Sequence, residues 1–123
     1  MDKVALAIPS ILSAVDKMGL LNSAPANVTK IRDEVTKSIF DITNGLRDCI
    51  SYLDTAIDNT KEPEKRREIT AMKEKLIQFR NDLQSNHIVI SKAYAEGGDN
   101  RAKAHYTMLE LALLVEKIMA ICF

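Results

Sequence analysis

Between Val28 and Ile57 an apolar side chain recurs at every third or fourth position, through Ile31, Val35, Ile39, Ile42, Leu46, Cys49, Ile50 and Leu53, with no proline to interrupt it. Only an α-helix puts such positions on one face. About thirty residues at a rise of 1.5 Å each make a rod of roughly 45 Å. A rod that long with one apolar face needs a partner of similar length, and residues 69–93 provide one. Ile69, Leu76, Leu83 and Ile90 form one column and Met72, Phe79, Asn86 and Ala93 the other, a strict heptad that predicts left-handed, knobs-into-holes packing. Pro63 stands ahead of this run, where the N–H it lacks would have no helical partner anyway.

Turn-rich stretches at residues 22–27 (NSAPAN), 58–63 (DNTKEP) and 96–100 (EGGDN) divide the chain into four helical segments. In the first, Val4, Ile8, Ile11, Val15 and Met18 form a single stripe with Pro9 inside it. The helix therefore either bends near Ala5 or begins at Pro9, and Gly19 ends it. Asn27 is expected to cap the second segment. Gly45, inside that segment, weakens it by up to ~1 kcal/mol relative to alanine, which is tolerable where a neighbour must come close. The fourth segment, with Asp99 or Asn100 as its expected cap, carries Ala102, Tyr106, Leu109 and Leu113 and then LLVEKIMAICF, apolar on most sides. Such a helix is either enclosed or turns an extra face to another chain.

Short links favour antiparallel neighbours, so the expected fold is all-α: an antiparallel up-down four-helix bundle with two long central helices, residues 1–123 forming a single domain. The first segment is about half as long as the second and third. Part of the long-helix seam, at Phe79, Leu83, Asn86 and Ile90, is therefore expected to remain for a partner or a second copy. The chain ends on Phe123 with no polar tail, as a piece of a longer protein would.

Charge and motif content narrow the function classes. Lys plus Arg and Asp plus Glu number 17 each, so no net field draws the chain to nucleic acid or an anionic membrane. KEPEKRRE, residues 61–68, gathers Lys61, Lys65, Arg66 and Arg67 without the interleaved aromatics of a single-strand binder, and reads as a solvated helix start. Cys49 and Cys122 fall at apolar-phase positions and are expected as two buried thiols, with a single bridge between them as the second reading. His87 and His105 lie on different segments with no HExxH or CxxC spacing, so neither a metal nor a cofactor is expected. Asp2 precedes the first apolar run and no clean small-x-small site follows it, which reads as a first helix rather than an export signal. No transmembrane span is expected, and the sequence leans toward a cytoplasmic location without fixing the compartment.

One stretch carries a sharper suggestion. In FRNDLQSNH, residues 79–87, Arg80 and His87 stand two helical turns apart and project from the same side. This resembles the Arg-then-His signature of HEPN domains, small helical bundles that often dimerise and, in many members, cleave RNA without metal. The resemblance covers these few residues only, and the six residues between Arg80 and His87 are at the upper end of the family's usual spacing. It implies His87 as acid or base toward a ribose hydroxyl or leaving oxygen, Arg80 as stabiliser of charge on the phosphate, and Asn81 or Asn86 as orienting groups.

The residues themselves support a plainer reading. Asn86 occupies a heptad core position, where one buried amide fixes register and partner number, and Arg80 and His87 flank the seam with their stems over apolar surface. On that reading the chain is a non-enzymatic module for protein–protein interaction or oligomerisation, held by a protein partner or by itself. RNA enters only with the ribonuclease alternative.

Overall fold

The computed structural model describes residues 3–25 and 29–122. It contains α1 (Lys3–Gly19), a 3-10 turn over Leu20–Ser23, α2 (Thr29–Asn59), α3 (Pro63–Glu96) and α4 (Gly98–Cys122), and no strand among the described residues. α1 packs on α2 and α4, and α3 packs on α2 and α4. These four packings close a ring, an antiparallel up-down four-helix bundle whose two long helices are α2 and α3.

Three contacts set the register of α2 against α3. The Thr36 and Ser91 hydroxyls lie 3.0 Å apart, the Phe40 and His87 ring centroids are 6.1 Å apart, and Lys73 pairs with Asp54. In each pair the residue numbers sum to 127, so one register holds over a span of eighteen residues, roughly 27 Å. Between α1 and α2 the close approach falls at Gly45, where an added Cβ would lie 2.6 Å from Ile11 Cγ1 and 3.3 Å from the Ala7 carbonyl oxygen. The helix-weakening glycine is there to admit a neighbour.

α1 does not begin at Pro9, which lies exposed inside a helix already begun at Lys3. Gly97 and Gly98 have φ of 74° and 55°, backbone that a side chain would strain, and they carry the chain from α3 into α4 with almost no loop. α4 starts earlier than expected: the Arg101 N–H donates to the Gly97 carbonyl, and Asp99 sits in the first turn, where its charge complements the helix dipole. Asn27, the expected cap of α2, lies outside the described residues.

The heptad reading of α3 holds only for its first half. Ile69, Met72, Leu76 and Leu83 are buried as expected, but further on the buried residues are Ser91, Tyr94 and Ala95. A helix that keeps a 3.6-residue period drifts about 20° per heptad from a 3.5-residue pattern, so the inward face has moved on by one position. Asn86 is consequently exposed, and its Nδ2 donates to the Asp82 carbonyl of its own helix at 2.9 Å. It is not a buried register-setting amide. That polar contact is made by Ser91: the Thr36 hydroxyl donates to the Arg32 carbonyl at 2.8 Å, so Ser91 is the donor to Thr36.

The long-helix seam is also covered further than the length of α1 suggests. Ile31 and Val35 at one end and Leu53, Ile69 and Met72 at the other are all buried. Leu20 and Leu21, after α1, share a groove with Glu34 and Ser38 of α2. At the opposite end α4 reaches far enough for the Tyr52 hydroxyl to donate to the Cys122 carbonyl at 3.5 Å. Leu83 is 2% exposed and belongs to the core; Phe79 and Ile90 are half-buried.

Candidate functional site: α4 and the polar junction beneath it

Two faces of α4 have the helical spacing of a core face, and the structure buries the one whose first two members, Arg101 and His105, are polar. Arg101, His105, Met108, Leu111, Val115 and Ile118 point inward. Ala102, Tyr106, Leu109 and Leu113, the stripe most evident in the sequence, lie on the outside, with Tyr106 and Leu113 each 66% exposed and Leu109 47% exposed.

Burying Arg101 and His105 is sustained by hydrogen bonds at a junction of α1, α3 and α4. Arg101 Nε donates to the Tyr94 carbonyl at 2.7 Å, Nη1 to the Leu21 and Ala24 carbonyls at 2.8 Å each, and Nη2 to the Pro25 carbonyl at 3.4 Å. Carbonyls at the end of a helical turn carry partial negative charge, so the guanidinium ties residues 21–25 across the bundle end. His105 Nδ1 lies 2.8 Å from the Tyr94 hydroxyl. Its other edge rests against Gly19, where an added Cβ would be 3.1 Å from Nε2. Burial lowers the His105 pKa, with the Asp16 carboxylate of α1 pulling the other way, and burial raises that of the Tyr94 phenol. Both shifts favour the neutral form of the group, and two neutral groups can share the hydrogen bond between them. The junction is a structural clasp. His105 and Arg101 also line an open groove of about 350 Å³ with Gly98, Ala102, Tyr106 and Leu109, so clasp and outer stripe adjoin.

The residues singled out from the sequence are distributed as follows. Arg80 and His87 are half-buried on α3. Arg80 Nη2 donates to Asn81 Oδ1 at 3.4 Å. His87 Nδ1 is 3.1 Å from the Gln84 carbonyl; a carbonyl only accepts, so Nδ1 is the donor. Both lie on the α2 side of α3, where the 127 register sets Arg80 opposite Arg47. Cys49 is buried and Cys122 half-buried, both free, and burial, with the Asp48 carboxylate adding to it, pushes the Cys49 thiol up to about 11, far from nucleophilic. Among the described residues no group of three His, Cys, Asp or Glu side chains could hold a metal ion, and no described helix is long and apolar enough to cross a membrane. Lys61 to Glu68 are all exposed.

Tyr94, Arg101 and His105 escaped the sequence reading. The available signal was their spacing: Arg101, His105 and Met108 are in helical phase, but an equally regular and more apolar phase lay one residue away.

No protein-family model matches the chain, and no curated protein or solved structure matches it either.

Proposed function

We propose that this chain is a non-enzymatic helical-bundle module that associates with protein through the outer face of α4. The observation that supports this is the second apolar stripe of α4, left in solvent after the bundle has closed on itself. Tyr106, Leu109 and Leu113 together expose on the order of 350 Å² of one helix face, a size that the largest apolar patch of a monomer also reaches and that often serves a function. Tyr106 is of the aromatic type enriched at interface centres.

The test is capture from the native source with the full chain as bait, comparing the native sequence with Leu113→Glu and Tyr106→Ala. Both positions are exposed, so circular dichroism is expected to be unchanged. Loss of the captured protein in both variants is the expected result; capture unaffected by either removes the α4 face from the function.

A further inference from the structure

Tyr94 is fully buried, and among the described residues its hydroxyl has a single partner, His105 Nδ1 at 2.8 Å. A buried O–H needs an acceptor. Tyr94 therefore donates and Nδ1 accepts, which leaves the ring proton of neutral His105 on Nε2. Nδ1 is thus both the acceptor of this bond and the atom at which the ring takes up a second proton. Once protonated, Nδ1 can only donate. The phenol oxygen could accept from it, but the Tyr94 O–H would then point into the core with no acceptor among the described residues. Proton uptake and the present bond exclude each other.

The surroundings give a charged ring a way out. His105 lines the open groove that also holds Tyr106 and Leu109, and an imidazolium is far better solvated there than against a buried phenol. α4 packs on α1 and α3, and the charged or titratable groups that face His105 come from all three helices. α1 supplies the exposed Asp16 carboxylate, whose charge favours the protonated ring but acts less strongly than burial. α3 supplies the Tyr94 phenol. α4 supplies Arg101, one turn earlier, bonded to carbonyls that do not titrate. Those bonds hold residues 21–25 at any pH, so the change is confined to His105 and to what it touches, Tyr94 and Gly19.

We infer that the Tyr94–His105 bond is a proton-operated latch: protonation at Nδ1 breaks it, and the imidazolium swings from between Tyr94 and Gly19 into the groove beside Tyr106 and Leu109. The outer face of α4 then carries a cation next to its apolar stripe. The latch stands on this geometry alone; only its effect on a contact rests on the reading of that face as the contact surface.

NMR of the whole, ¹⁵N-labelled chain tests this. The chain has two histidines, so His87→Gln leaves His105 as the one imidazole signal. At about pH 7.5, above the ordinary histidine value, Nδ1 is expected without a proton and Nε2 with one. As pH falls to about 4.5 and the ring becomes charged, its nuclear Overhauser contacts to Tyr94 and Gly19 are lost and contacts to Tyr106 or Leu109 take their place. Tyr94→Phe removes the donor that favours the neutral ring, so His105 titrates at higher pH than in the native chain. A proton on Nδ1 at about pH 7.5 overturns the inference, as does a charged ring still seated against Tyr94 and Gly19. Titration at lower pH in Tyr94→Phe overturns it too, because it would mean that Nδ1 was the donor. The first two readings use no substitution at the latch and hold even if Tyr94→Phe fails to fold.

Discussion

Gly45 and His105 are the two residues where local chemistry and neighbouring helices are most tightly joined. Alanine at position 45 would favour the helix by up to ~1 kcal/mol, but its Cβ falls 2.6 Å from Ile11 Cγ1, and a β-branched neighbour is stiff. Overpacking of this kind costs about 1–3 kcal/mol, so Gly45→Ala is expected to lose about 1 kcal/mol net. Urea denaturation measures it, and a more stable variant would mean that α1 and α2 stand further apart. His105 adds a pH dependence of defined sign. The unfolded chain takes up a proton near the ordinary histidine value of about 6.5, whereas burial holds the folded imidazole below its usual value. Stability is therefore whole above that value and declines as pH falls through it toward the lowered folded one. Denaturation midpoints at pH 7.5 and pH 5 are expected to differ in that direction, and His105→Gln to shrink the difference.

Among the elements, α3 shows how a sequence pattern and a helix disagree. Its heptad runs from Ile69 to Ala93, yet the buried face follows the 3.6-residue period and leaves Asn86 in solvent while Leu83 stays in the core. The two substitutions should therefore separate widely. Leu83→Ala is expected to destabilise by about 2–5 kcal/mol, and Asn86→Ala to stay within about 0.5 kcal/mol, with no change of association state; thermal melts followed by sedimentation would show it. A large effect at Asn86 would restore the buried-amide reading. α4 poses the same problem in another form. It has two stripes of equal regularity, and the choice between them falls to Arg101, whose partners include the Tyr94 carbonyl of α3 and the Leu21, Ala24 and Pro25 carbonyls. Those partners lie up to 80 residues away in the chain.

For the whole molecule, helix number, approximate bounds and antiparallel order follow from the 3-to-4 spacing of apolar residues and from short, turn-rich links. Both are local properties, because a helix closes its hydrogen bonds within four residues and a short link leaves its neighbour no other direction. The close approach at Gly45 and the glycine stop after α3 were legible for the same reason. Arg80 and His87 could be named from sequence, but not that Arg80 would bond to Asn81 or Nδ1 of His87 to the Gln84 carbonyl of its own helix. By itself the sequence determined that this chain becomes four antiparallel rods with more apolar surface than one bundle can hide. Which stripe stays outside was decided only by tertiary structure, because a buried guanidinium or imidazole is stable only where distant groups complete its hydrogen bonds, and those groups are brought to Arg101 and His105 by folding alone.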